Sequence, residues 1–211
     1  MSVLVAYVRE AQPGRVAEVR RVLHQHAHAA TQQDQNIRTF QVLQGRAQSN
    51  LYVDLVEWSS RRAFEHAREA LSAAEETVQH MFLRSPRIRV YQPLAVLRVR
   101  RREPRAVGVG LIRTRPGSED AYAATMHDWI QNRFRERPGI LAAGLYQSED
   151  EPQQFLVRNA RDSEEDLLAH RAWMTHEVLP TTDPYVARRE LLALLTRWHY
   201  RLTPLTSGAA V

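Results

Sequence analysis

The 211-residue sequence contains no cysteine, which excludes disulfides and thiol catalysis and agrees with a reducing compartment. It has no apolar run long enough to cross a bilayer. Its opening, Met1-Ser2-Val3-Leu4, lacks the basic region followed by an apolar stretch that marks a signal peptide. We therefore expect a cytoplasmic protein that has no membrane partner.

Motifs for nucleotides and for hydrolytic nucleophiles are also missing. The sequence has no glycine-rich dinucleotide loop, no P-loop and no Gly-x-Ser-x-Gly elbow. All 29 basic residues are arginine, but the densest run, between Arg98 and Arg105, has no interleaved aromatic residues. His24 and His28 lie one helical turn apart without a visible third metal ligand. We predict no cofactor, no metal site and no nucleic-acid partner.

The sequence does contain an internal repeat. At an offset of 103 positions Pro13-Gly14 falls on Pro116-Gly117, Ile37 on Ile140 and Tyr52 on Phe155. This period is too long for a solenoid and indicates a duplicated domain. We predict an N-terminal module over residues 1–100, a linker over 101–105, a C-terminal module over 106–202 and a flexible tail over 203–211.

Each half has the same predicted order of elements, strand-helix-strand-strand-helix-strand. Apolar, β-branched runs predict the strands and helical spacing of apolar residues predicts the helices. Ser59-Ser60 and Asp162-Ser163 are candidate N-caps of the second helix in each half. The strands are expected at Val3–Val8 and Val107–Ile112, from Ile37 and Ile140, at Leu51–Trp58 and Phe155–Ala160, and near Ile88–Leu97 and Leu191–Trp198. Residues Glu190–Leu195 are also compatible with a helix.

This order is typical of the ferredoxin-like split β-α-β fold, an α+β class with an antiparallel sheet and helices on one face. The other face of each sheet would be apolar and exposed to water in an isolated module. We therefore predict two tandem ferredoxin-like modules packed sheet to sheet as a pseudo-twofold α/β barrel.

The run from Val56 to His66, with Glu57-Trp58, a short polar turn and Ala63-Phe64, resembles the strand-to-helix junction of the antibiotic biosynthesis monooxygenase family. Pro-Gly at 13–14 and Pro-Gly-Ile at 138–140 are similar to that family as well, and the resemblance covers both halves. It implies a dimeric α/β barrel. Family members include cofactor-free oxygenases of aromatic polyketides, haem-degrading enzymes and modules without known activity.

The resemblance to the cofactor-free oxygenases implies a site around Trp58. The family's asparagine, tryptophan and tyrosine positions fall on Asp54, Trp58 and Phe64, and their equivalents in the second half are Val157, Arg161 and Leu167. We therefore expect one active pocket, in the N-terminal half, with Asp54 and Trp58 as catalytic residues. The positions used by the haem-degrading branch are Tyr7, Trp58 and Arg68, which include no iron ligand.

Further candidates for substrate binding occur in both halves. In the N-terminal half they are Tyr7, Phe64 and His66; in the C-terminal half they are Asn159, His170, Trp173 and Trp198. His170 has a side chain suited to proton transfer, while core packing is the simpler explanation for His170, Trp173 and Trp198.

These residues and the resemblance together favour an enzyme. The expected activity is a cofactor-independent monooxygenase that converts a polycyclic aromatic polyketide of the anthrone or phenol type to a quinone in antibiotic biosynthesis, with molecular oxygen as co-substrate. A polyketide cyclase or another lyase or isomerase on the same scaffold, and a non-catalytic binding module, remain alternatives. Whether two chains form a homodimer is left open.

Overall fold

A computed structural model describes residues 1–100 and 102–201, with side chains as far as Arg197. It contains eight strands and five α-helices. The strands are β1 (Val3–Glu10), β2 (Ile37–Gly45), β3 (Leu51–Trp58), β4 (Arg87–Arg98), β5 (Ala106–Thr114), β6 (Ile140–Ser148), β7 (Gln154–Arg161) and β8 (Val186–Arg201). The helices are α1 (Val16–Gln33), α2 (Arg61–Val78), α3 (Glu119–Asp128), α4 (Glu164–Trp173) and α5 (Leu179–Thr182).

The eight strands form one closed barrel in the order β1-β3-β2-β8-β5-β7-β6-β4, and every pair is antiparallel. Strands β1 to β4 form the N-terminal half and β5 to β8 the C-terminal half. The halves join at β2–β8 and at β4–β6, so that no sheet edge stays unpaired. The predicted α+β fold, a pseudo-twofold barrel of two ferredoxin-like halves, is confirmed.

Local sequence signals explain where α2 and α4 begin. Ser60 accepts a hydrogen bond from the Ala63 amide at 3.1 Å, and Ser163 accepts one from the Asp166 amide at 3.0 Å. Both serines therefore act as the predicted N-caps and satisfy amide groups that the first helical turn leaves free. Among the described residues no helix is long and apolar enough to cross a membrane.

Apolar side chains fill the inside of the barrel. This central cluster includes Leu4, Leu43, Leu55, Val107 and Leu156. Two further clusters lie between the sheet and the helices, one in each half. The barrel interior is packed, and in both halves a cavity lies between the helices and the outer face of the sheet.

Strand β8 is longer than the sequence predicted. It covers Val186–Arg201, so the helical alternative for residues 190–195 is wrong. The strand pairs with β5 along one edge and with β2 along the other, and these two ladders outweigh a local preference for helix. The side chain of Trp198 and the tail over 203–211 lie outside the described residues, and the domain limits stay a prediction.

Two ion pairs connect the halves, and in both of them the N-terminal half supplies the arginine and the C-terminal half the glutamate. Arg46 pairs with Glu164, and Arg61 pairs with Glu149 at 2.7 Å. At the repeat offset of 103, Arg46 corresponds to Glu149 and Arg61 to Glu164. Pairing two N-terminal halves in this way would oppose arginine to arginine, whereas the two different halves attract each other.

We expect Glu164→Arg to lower the free energy of unfolding by about 0.5–1 kcal/mol, because it opposes two cations at a partly exposed site. Adding Arg46→Glu, which restores opposite charges, is expected to recover most of this loss. Urea unfolding of both single variants and the double variant measures the coupling. Strictly additive effects of the two substitutions would contradict the prediction.

Candidate functional site

A groove of about 380 Å³ lies between α2 and the sheet of the N-terminal half. Tyr7 on β1, Phe64 and Leu71 on α2, and Val90 on β4 form its apolar surface. Charged side chains surround this surface; they are Arg61, Arg68, Glu75 and Glu76, with Asp150 from the C-terminal half. The groove is therefore apolar at its base and polar at its rim, as ligand pockets commonly are.

A separate narrow void of about 10 Å³ lies next to this groove. The two spaces share Tyr7, Leu71 and Glu75, and the void adds His26 and Trp58. Trp58 is buried, and its ring packs edge-on against Phe64 with centroids 5.9 Å apart. Its indole Nε1 has no hydrogen-bond partner among the described residues. Since a buried N–H is normally satisfied, this donor is available to a ligand.

A buried ion triad lies beside the void. Arg9 follows Tyr7 on the same face of β1, pairs with Asp54 on β3, and donates from Nε to Glu75 on α2 at 3.3 Å. Its guanidinium also lies over the Tyr7 ring, 4.8 Å from the ring centre. Burial opposes the charge of Arg9, but the two carboxylates raise its pKa, so the side chain is a permanent cation. The single buried cation of Arg9 therefore forms ion pairs with two carboxylates, Asp54 and Glu75.

The protonation of the neighbouring groups follows from this arrangement. Burial raises the pKa of Asp54 to about 6 against the opposing effect of Arg9, and the charge of Glu75 raises it further. Burial also raises the pKa of the Tyr7 phenol, which therefore stays protonated. Burial lowers the pKa of His26, although Glu75 opposes the shift. At neutral pH the void is therefore lined by a neutral imidazole next to a carboxylate.

The structure brings three of the predicted residues together. Tyr7, Trp58 and Phe64 line the groove or the void next to it. Asp54 lies next to them but is engaged by Arg9 and lines neither space. His66 is exposed on α2 and lines neither space.

The candidates of the C-terminal half lie elsewhere. Asn159 and His170 line a separate cavity of about 60 Å³. Trp173 packs against Phe134 and His170, and Arg137 lies 4.0 Å above its ring. Burial, with the charges of Arg161 and Arg137, lowers the pKa of His170 to about 2. His170 is therefore neutral at neutral pH, and its role in proton transfer stays a prediction.

The sequence analysis missed Arg9, Glu75 and His26. Arg9 continues the alternation Val3, Val5, Tyr7 and is therefore directed toward the helices. Glu75 follows Leu71 by four positions on the buried stripe of α2. Both signals were present in the sequence. The polar neighbours of His26 gave no such signal, because only the packing of α1 against the sheet buries it.

Among the described residues no three histidine, cysteine, aspartate or glutamate side chains form a group that could hold a metal ion.

Comparison with known proteins agrees with the fold described above. Residues 1–76 match the family model of the antibiotic biosynthesis monooxygenases. A candidate monooxygenase of Fusobacterium nucleatum has 10% identical residues over 95% of this chain and 94% of its own, with a TM-score of 0.79. An anthrone oxidase-like protein has 12% identity over 99% and 97% of the two chains, with a TM-score of 0.76.

A candidate monooxygenase of Lactobacillus acidophilus is similar at 11% identity over 95% and 96% of the chains, with a TM-score of 0.73. At such identities the similarity shows a common fold alone. No curated protein sequence matches the chain. Residues 1–76 thus match the antibiotic biosynthesis monooxygenase family, within a barrel whose two halves share one fold.

Proposed function

We propose that the groove of the N-terminal half binds a flat, electron-rich phenol or anthrone and oxidises it to a quinone with molecular oxygen and no cofactor. The substrate would be an aromatic polyketide intermediate of antibiotic biosynthesis, handled in the cytoplasm. One observation carries this proposal: an apolar groove of about 380 Å³ lies next to a void lined by His26 and by Trp58, whose N–H is free. Its volume falls within the range of sites for small organic ligands.

The first step is removal of a proton from the substrate. His26 takes this proton as general base, because burial keeps its imidazole neutral, and Glu75 stabilises the imidazolium that forms. Arg9, which is itself paired with Asp54, holds Glu75 in place. This reassigns Asp54 from base to positioning residue, since its carboxylate is engaged by Arg9 and lines neither space.

The substrate anion then reacts with oxygen. The Trp58 N–H and the protonated Tyr7 hydroxyl donate to the oxygen on which negative charge develops. Phe64 and Leu71 cover the flat ring and exclude water. Conversion of one ring CH₂ to C=O supplies all four electrons that oxygen needs. One oxygen atom becomes the carbonyl and the other leaves as water.

Oxygen uptake with an anthrone, in a preparation free of metal and flavin, tests the proposal. We expect uptake with incorporation of one atom from isotopically labelled oxygen. His26→Asn and Trp58→Phe are each expected to lower kcat by about 10²-fold, as loss of a general base or an oxyanion donor does. The control is His28→Asn, an exposed histidine on the same helix, with an unchanged rate.

The outcomes also separate the alternatives. Product formed without oxygen uptake would replace the oxygenase by a cyclase or another lyase or isomerase. Tight binding of the anthrone without turnover would indicate a binding module. Normal rates in both His26→Asn and Trp58→Phe would overturn the site assignment even if the activity were present.

A further inference from the structure

The cavity of the C-terminal half, distinct from the proposed oxygenase groove, lies between the sheet and helices α3, α4 and α5. Gly108 and Gly110 on β5 contribute to its floor, where the first half has Val5 and Tyr7 at the repeat offset. A side chain at Gly108 would collide with the Asn159 amide, and one at Gly110 would come within 3.3 Å of Leu191. Two glycines thus open a space that side chains fill in the first half.

Three polar groups that line this cavity are unsatisfied among the described residues. His170 is 4% exposed, and neither ring nitrogen has a hydrogen-bond partner. Asn159 is 8% exposed, and its Oδ1 has none. The Nε–H of Arg189 is also free, while its other nitrogens bond Asp183 and Thr182. Buried polar groups are normally paired, so the free donors of His170 and Arg189 indicate a missing acceptor, whereas Asn159 Oδ1 is itself an acceptor and does not bond an anion.

The charge around the cavity is positive. Arg161 follows Asn159 on the same face of β7 and is completely buried. Its Nη1 donates to the Pro138 carbonyl at 2.9 Å, but Nε and Nη2 have no partner. No carboxylate forms an ion pair with Arg161 among the described residues, and none lines the cavity. The charge of Asp166 offsets only part of the cost of burying this cation, and an anion would offset more of it.

The Arg161 charge acts on His170, which lines the cavity. Together with burial it lowers the pKa of the imidazole, so His170 is neutral and offers one N–H. The opposite situation holds in the first half, where Glu75 lines the groove and Trp58 stands at the position of Arg161. The two halves therefore differ in the charge of the ligand that each can accept.

We propose that the C-terminal cavity is a second binding site, for a small monocarboxylate with an apolar chain. The carboxylate accepts hydrogen bonds from His170 and from Arg189 Nε–H, in the positive field of Arg161. Tyr122, Met126 and Leu167 surround the apolar chain. The cavity volume of about 60 Å³ corresponds to about four water-sized spheres, so the ligand is short.

Isothermal titration with butyrate tests this site, with butanol and butylammonium as neutral and cationic probes of similar size. We expect butyrate to bind at least tenfold more tightly than either. His170→Phe keeps a ring of similar size without nitrogen, and is expected to weaken butyrate binding at least tenfold. Gly110→Val, which places a side chain in the cavity, is expected to abolish it.

The matched control is His176→Asn, an exposed histidine on the turn that follows α4, for which unchanged butyrate affinity is expected. Circular dichroism checks that each variant is folded, and His170→Phe remains decisive if Gly110→Val does not fold. Equal affinity for butyrate and butanol, absence of butyrate binding, or binding that survives His170→Phe would overturn the proposal. Because the readout is equilibrium binding, its failure is separate from failure of the oxygenase.

Discussion

Arg9→Met is expected to lower the free energy of unfolding by about 3–5 kcal/mol. Arg9 is buried and is the ion-pair partner of both Asp54 and Glu75. Methionine has a similar length but no charge, so two carboxylates would stay in an apolar layer without a counter-ion. Removing one partner of a buried ion pair costs this much because the remaining charge is uncompensated.

Urea unfolding at neutral pH measures the effect, with Arg62→Met as the matched control. Arg62 is exposed at the start of α2, and its replacement is expected to change the free energy of unfolding by less than about 0.5 kcal/mol. The triple variant Arg9→Met, Asp54→Asn, Glu75→Gln removes all three charges and should recover much of the loss. Equal stability of Arg9→Met and the wild type would show that the triad is not formed.

The stability of the protein is expected to depend on pH through Asp54. Burial raises the pKa of this carboxyl from 3.8 to about 6 in the folded state. A raised pKa means that the folded state binds the proton more tightly than the unfolded chain does. The stabilisation is therefore fully present below pH 3.8 and is lost as the pH rises through about 6. The shift corresponds to about 3 kcal/mol.

Asp54→Asn removes this titrating group and keeps the shape of the side chain. We expect the wild type to lose about 2 kcal/mol relative to the variant between pH 4 and pH 7.5, because part of the full effect falls below pH 4. Comparing the two proteins at each pH by urea unfolding cancels the titration of all other groups. Parallel pH profiles of wild type and variant would show that Asp54 titrates normally.

The duplication preserved the fold while the two helix-covered layers diverged. Val5 and Tyr7 correspond to Gly108 and Gly110 on the first strands, and Trp58 corresponds to Arg161 at the ends of β3 and β7. These changes leave the strand pairing intact, because backbone groups make the ladders. They alter the shape and the charge of each layer, so the spaces next to the helices differ between the halves.

Several features could be predicted from short stretches of sequence. The alternation of β1 and the apolar stripe of α2 follow from local periodicity, and the N-caps Ser60 and Ser163 follow from local hydrogen bonding. The repeat predicted two similar sheets. Burying the apolar face of each sheet required the two sheets to pack against each other. The same periodicity also contained the inward positions of Arg9 and Glu75, although these were overlooked.

The sequence by itself thus determined the elements, their duplication and the need to pack two sheets together. Only the tertiary structure decided which side chains meet, because these meetings join residues far apart in the chain. His26 reaches Trp58 and Glu75 only through the packing of α1 and α2 on one sheet. The charge of a site and its protonation depend on burial and on neighbours in space, and a linear pattern specifies neither.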